Sequence, residues 1–247
     1  MCGIVGYVGT NNVPNREYFA LDVVLEGLRR LEYRGYDSAG VAMLEGGKIN
    51  FRKKAGKVAG LDEEIARDPL PDSVVGIGHT RWATHGAPTD ANAHPHVVDG
   101  GKLAVVHNGI IENFAELKTE LVAKGYTFAS ETDTEVAATL LGDIMNGEGN
   151  GDLTESMRLT CNRLEGAFTL LALNVDFPDR IVAARRNSPL VIGLGEGENF
   201  LGSDVSGFID YTKNAVEMAN DQIVTITAND YSIIDFDGNE ATGKPFK

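Results

Sequence analysis

The chain has 247 residues, 43% of them apolar, enough to bury a sizeable core without disulfide or metal staples. Its 22 Lys and Arg stand against 36 Asp and Glu, a formal net charge of −14, which argues against a nucleic-acid or anionic-membrane partner. Cys2 and Cys161 are too few for a disulfide framework, and no leader or membrane-length apolar run is seen, so the expectation is a cytoplasmic protein with reduced thiols.

In chain order, residues 3–9 set Ile4, Val5, Tyr7 and Val8 among glycines and read as a buried strand. Residues 17–31 repeat Phe19, Val23, Leu25, Leu28 and Leu31 at helical spacing. Residues 41–44 and 49–52 flank Gly46-Gly47 as a hairpin, and a weaker helix over 56–67 stops before Pro69. Short apolar runs at 74–79 and 103–107 read as buried strands. Asn113 opens a helix with Glu116 three residues later, and Gly125 closes it. Thr132 with Glu135 gives a capping-box signal for a helix to about Met145. The Gly/Asn-rich 146–152 should be a mobile loop, and a helix follows through Leu164, with Cys161 as a core thiol. Strand-like runs then cover 167–173, 180–184, 190–194, 222–227 and 231–236. Strands, then helices, then strands is not the alternation of a doubly wound parallel sheet. The expectation is an α+β fold in one domain over 1–247, with antiparallel sheets and helices on their outer faces.

Cys2 follows the initiator Met. Removal of Met1 would leave one residue carrying both a thiol and a free α-amine, a nucleophile with its own base. A small residue at position 2 also simply suits the processing peptidase. Residues 78–86 follow a strand and lead into a loop. There Arg81 offers a planar fork for a carboxylate, Trp82 a flat wall, and Thr84 and His85 hydrogen bonds to a small polar ligand. The same segment also reads as a capped loop with a surface Arg. Asn108-Gly109 is first a turn signal; it also holds an amide donor beside an unobstructed N–H, the parts of an oxyanion hole. Asp133 suits the positive end of a helix or a ligand's ammonium group. All five histidines lie between His79 and His107. His94-Pro95-His96 suggests zinc, but no Cys or acidic pair completes a tetrahedral set, so no metal is expected, and the histidines read as satisfied polar groups in loops. Gly195-Glu196-Gly197-Glu198-Asn199 reads as an acidic hairpin turn, and no glycine pattern completes a nucleotide site.

Six segments occur in order: residues 1–6 (Met-Cys-Gly-Ile-Val-Gly), 29–40 with Tyr33-Arg34-Gly35-Tyr36-Asp37, 79–86, 92–96, 107–109 and 131–135. Together they closely resemble the class II glutamine amidotransferase domains of the isomerizing glutamine–fructose-6-phosphate aminotransferases, weakening after about Asp210. The resemblance implies an N-terminal nucleophile hydrolase fold, an αββα sandwich of two stacked antiparallel sheets. It implies no cofactor and a set of roles: Cys2 as nucleophile, Asn108 and the Gly109 N–H as oxyanion hole, Arg81 with Thr84 and His85 on the glutamine α-carboxylate. Asp133 would take the glutamine ammonium, Trp82 would belong to a mobile loop over the site, and Arg34 would support the N-terminus. The implied reaction is hydrolysis of L-glutamine to L-glutamate and ammonia through a thioester. The full enzymes carry paired sugar-isomerase domains beyond this region and are expected to be homodimers; fructose 6-phosphate would be met only through those domains. Three alternatives stay open: another class II acceptor chemistry, phosphoribosyl or aspartyl; a glutamine-binding module without turnover; and an N-terminal nucleophile amidase for another substrate.

Overall fold

The computed structural model describes residues 2–10, 18–35, 37–83 and 86–247, and Arg34 through its backbone alone. Strand β1 (Gly3–Gly9) is buried along its whole length. It turns Ile4 and Val8 to one face and Val5 and Tyr7 to the other, and each pair joins a different core cluster. Helix α1 (Ala20–Leu31) starts where the Phe19 N–H donates to the Asp22 carboxylate at 2.9 Å. The helical pattern expected from residue 17 is thus described from Ala20. Strands β2 (Ser38–Glu45) and β3 (Lys48–Ala55) form the expected hairpin; Gly46 and Gly47 both take positive φ, 61° and 70°, as a tight two-residue turn between twisted strands requires.

Helix α2 (Val58–Arg67) and strand β4 (Val75–Arg81) follow, then β5 (His96–Val98) and β6 (Leu103–Ile111). Three helices come next: α3 (Phe114–Ala123), α4 (Asp133–Asn146) and α5 (Leu153–Arg163). The Gly/Asn-rich link between α4 and α5 is a run of hydrogen-bonded turns, with the N–H groups of Gly149 and Gly151 donating to Ile144 and Met145 carbonyls. The remainder is β7 (Gly166–Asn174), β8 (Arg180–Arg186), β9 (Val191–Leu194), β10 (Glu198–Gly202), β11 (Ala215–Glu217), β12 (Gln222–Thr227), β13 (Tyr231–Asp235), β14 (Glu240–Ala241) and β15 (Lys244–Phe246).

The strands assemble into an eight-stranded sheet, β15-β11-β9-β10-β1-β4-β2-β3, and a seven-stranded sheet, β14-β13-β12-β8-β7-β6-β5. Their ladders are antiparallel. Three apolar layers hold them. Ile4, Ile77, Ala104, Val106, Leu171 and Ile181 fill the space between the sheets. Val24, Leu28 and Leu61 from α1 and α2 cover the first sheet; Leu117, Leu140 and Met157 from α3, α4 and α5 cover the second. Each fully buried large apolar side chain contributes about 1.5–3 kcal/mol. This is the αββα sandwich the sequence leads one to expect. No helix among the described residues is long and apolar enough to cross a membrane.

β10 departs from the sequence reading. The segment 195–199 does open with a hairpin turn, the Gly195 N–H donating to Glu198 O. The strand that follows pairs with β1 from Val5↔Gly202 to Gly9↔Glu198. Glu198 is not a solvated acid: it is 8% exposed and its two oxygens accept the hydroxyls of Tyr7 and Tyr18, each at 2.8 Å.

Candidate active site

Strand periodicity places the chemistry. Ile77 on β4 and Val106 on β6 both point between the sheets, so two residues further along, His79 and Asn108 point into the same layer. Arg81 ends β4 one step beyond, and Cys2 precedes Ile4 by two at the head of β1. Four polar side chains therefore gather where the layer between the sheets reaches the surface. β6 residues of the other parity, His107 and Gly109, face α4, whose first turn supplies Asp133 and Thr134.

Cys2, Arg81, Trp82, Gly109 and Asp133 line one cleft together with His94, His107, Thr132 and Thr134. Cys2 is half-buried. Its Sγ accepts the Trp82 N–H at 3.1 Å and lies 3.6 Å from Trp82 O. Burial pushes its thiol above the ordinary value, the Trp82 N–H bond pulling the other way. The Asn108 Nδ2 donates to the Cys2 carbonyl at 3.0 Å, and the Asn108 Oδ1 is 3.0 Å from His79 Nε2. Arg81 and Asp133 are each only 4% exposed, and charges so buried need partners. Arg81 donates to Gly86 O and Ala87 O at 3.0 and 3.3 Å. Asp133 Oδ2 accepts the Ile111 N–H at 2.9 Å.

The Asn108-Gly109 pair is not a turn. It lies inside β6, opposite Thr169 and Phe168 of β7. Gly109 has φ +118°, and a Cβ there would stand 2.0 Å from Ala167 O. Only glycine fits this backbone; Gly109 lines the cleft with Cys2, and its neighbour Asn108 reaches the Cys2 carbonyl.

The histidines correct the loop reading. His79, His96 and His107 lie in β4, β5 and β6, and all four described histidines are at most 4% exposed. The His79 and His94 rings pack at 4.1 Å with their planes tilted by 32°, and His96 lies edge-on to His94 at 5.1 Å. Thr134 Oγ1 is 2.9 Å from His107 Nδ1, and Thr132 Oγ1 is 2.8 Å from His96 Nε2. Burial pushes His79 down to about 3 and holds His94 and His96 well below the ordinary value, so these three rings are neutral at pH 7. The rings pack against one another around His94, and no group of three or more His, Cys, Asp or Glu among the described residues is placed to hold a metal ion.

The structure thus brings together Cys2, Asn108, Gly109, Arg81, Trp82 and Asp133. Thr84 and His85 lie outside the described residues, as does the side chain of Arg34. Two contributors carried no assigned role in the sequence. Asp37 accepts the Ala83 N–H and donates its own N–H to Arg81 O at 3.0 Å, holding the segment that presents Trp82. His79 holds Asn108. The period-two step from Ile77 to His79 was the available signal for the second.

A four-layer sandwich with a cysteine leading an inner strand is the architecture of the N-terminal nucleophile hydrolases. A family model described as a glutamine amidotransferase domain matches residues 79–210, more than half the chain. The chain belongs to that family. The glutamine–fructose-6-phosphate aminotransferase (isomerizing) of Corynebacterium diphtheriae is 77% identical over 246 residues, covering 100% of this chain and 39% of that protein. Proteins of the same name from Streptomyces coelicolor and Mycobacterium tuberculosis are 58% and 52% identical over 241 and 252 residues, with 38% and 39% of their lengths covered. The chain thus spans about two-fifths of these relatives. Among solved structures, the glutamine phosphoribosylpyrophosphate amidotransferase of B. subtilis superposes with a TM-score of 0.79 at 24% identity, over 97% of this chain and 50% of that one. A glutamine aminotransferase class-II domain protein from Silicibacter pomeroyi gives 0.58 at 16% identity, over 95% and 99%. These two share the fold.

Proposed function

We propose that residues 1–247 form one glutaminase unit that hydrolyses L-glutamine to L-glutamate and ammonia. The observation that carries this reading is the shared cleft: a nucleophile, a buried guanidinium and a buried carboxylate line it together. An α-amino acid presents one carboxylate and one ammonium, and Arg81 and Asp133 are the complementary pair. With both anchored, the side-chain amide carbon falls to Cys2. Thr84, His85 and Arg34 assist in this reading by their place in the sequence motifs, and Trp82 walls the site.

The raised thiol makes Cys2 mostly protonated at neutral pH. Its proton passes to the α-amine that removal of Met1 exposes, as the sulfur–carbon bond forms. The oxygen takes up negative charge between Asn108 Nδ2 and the Gly109 N–H. The carbon–nitrogen bond then breaks, the amine-held proton leaving with ammonia. Water, deprotonated by the same amine, attacks the thioester and restores the thiol. In a longer protein like the curated relatives, the ammonia would convert fructose 6-phosphate to glucosamine 6-phosphate on the following isomerase domains. We further propose a cytoplasmic location and a homodimeric full enzyme, both of which fit the family resemblance.

Cys2→Ala should abolish glutamate release by protein whose intact mass shows Met1 removed; release that survives overturns the mechanism. Protein that keeps Met1 has an amide in place of the base and should be silent.

A further inference from the structure

His79 lies on β4 in the first sheet and Asn108 on β6 in the second, so the 3.0 Å contact between His79 Nε2 and Asn108 Oδ1 spans the two sheets. Oδ1 carries no proton, so Nε2 must donate. At the other end of the amide, Nδ2 donates to the Cys2 carbonyl at 3.0 Å. A flipped amide would set Oδ1 against the Cys2 carbonyl, two acceptors face to face. His79 therefore reinforces the one orientation in which Asn108 presents an NH2 group toward the cysteine. One of its two hydrogens serves the Cys2 carbonyl and the second serves a developing oxyanion.

We infer that His79 is a positioning residue: through its Nε2–H it locks the Asn108 amide as an oxyanion donor. This rests on the glutaminase reading. His79 does not line the cleft, so its hydrogen-bonded route to the chemistry is Asn108. Its ring packs against His94, centroids 4.1 Å apart and planes tilted by 32°, and it is 1% exposed. Burial keeps it neutral through the working range, so the lock does not vary with pH near neutrality. A preorganised donor costs no reorganisation when charge develops; an amide held at one end only must be ordered during each turnover. The lock should therefore act on the transition state rather than on glutamine binding.

The test is a glutaminase assay on Met1-processed protein with His79→Phe, which keeps a ring and removes the donor, His79→Gln, which restores one, and His79→Asn, whose amide is too short to reach. Wild type and Cys2→Ala in the same assay test the glutaminase reading by itself. His79→Phe is expected to lower kcat about 10–100-fold with the KM for glutamine within about threefold, and His79→Gln to recover part of the loss. Asn108→Ala should lose about 10²–10³-fold, and the double variant His79→Phe with Asn108→Ala should be no slower than Asn108→Ala alone. If His79→Phe fails to fold, kcat for His79→Gln above His79→Asn carries the same expectation. The inference is overturned if His79→Phe keeps its kcat, if the double variant loses the product of the two factors, or if Gln and Asn are equally slow.

Discussion

Gly109 shows how one residue couples strand geometry to chemistry. Its φ of +118° lies where side chains are strained, and an added Cβ would meet Ala167 O at 2.0 Å. The obstacle is backbone in the paired strand β7, which cannot swing aside as a side-chain tip would. Gly109→Ala must either part β6 from β7 or turn the peptide proposed to donate to the oxyanion. Backbone strain of this kind costs about 1–3 kcal/mol, about 2–12 °C in Tm for a domain of this size. The prediction is a lower melting temperature together with near-complete loss of glutamate release. A variant with wild-type Tm and kcat would show that the backbone relaxes freely here. The sequence made Asn108-Gly109 visible as a donor pair, but its commoner meaning is a turn. Only the pairing with β7 removes that reading.

At the level of elements, the start of α4 does three things at once. Thr132 Oγ1 accepts the Glu135 N–H at 3.2 Å, which is the N-cap the sequence announces. The reciprocal half of the capping box is diverted: the Glu135 carboxylate takes the N–H groups of Ala129 and Ser130 and the Ser130 hydroxyl. This fastens the segment before the helix rather than the cap itself. The same Thr132 hydroxyl reaches His96 on β5, fixing the helix end against the second sheet. Asp133, the next residue, inherits that position. Thr132→Ala should cost about 1 kcal/mol for the cap and about 1–3 kcal/mol more for the stranded His96 nitrogen. If Asp133 holds the substrate ammonium, KM for glutamine should rise about fivefold or more, roughly 1 kcal/mol of binding; Thr132→Ser should restore both. An unchanged KM beside a lowered Tm would separate the cap from the substrate site. The helix was legible because its signals are local. Asn113 was legible only in part: it precedes α3 as expected, yet its amide bonds Arg163 O and the Glu165 N–H instead of capping. Those partners lie about fifty residues away.

Across the whole molecule, legibility follows sequence separation. The hairpin at Gly46-Gly47, the helices and most of the longer strands carry their own periodicity. The three-residue strands β5 and β11 are too short to show a period, and β10 is hidden because its Gly- and Glu-rich start reads as a turn, yet β10 is what encloses β1 inside its sheet. The site shows the same division. Cys2, Arg81 and Asp133 declare their chemistry by type and motif, whereas the histidine layer becomes visible only when β4 is laid over β6. That layer gives the molecule an acid-sensitive seam. His79, His94 and His96 have folded-state pKa values below the unfolded value of about 6.5. Burial is the main cause at all three, the neighbouring rings and Arg81 oppose protonation further, and at His96 Lys53 does so more than Arg81. The stability of a group held low in this way is present above the unfolded pKa and is lost as pH falls, because the unfolded chain then binds protons that the folded chain refuses. At pH 5.5, below the unfolded value, each ring withholds on the order of 1 kcal/mol, a few kcal/mol for the three together. That is a large share of the 5–15 kcal/mol typical of a domain. Carboxylates held low by partners, such as Asp90 beside Lys54, weaken the fold only below about pH 4, so the window from pH 6.5 to 5 belongs to the histidines. Thermal melts should lose about 10 °C between pH 7.5 and 5.5. His94→Asn, whatever its own stability, should reduce that pH slope by about a third. Equal melting temperatures at the two pH values would mean that the rings charge without parting the sheets, and an unaltered slope in His94→Asn would place the proton uptake elsewhere.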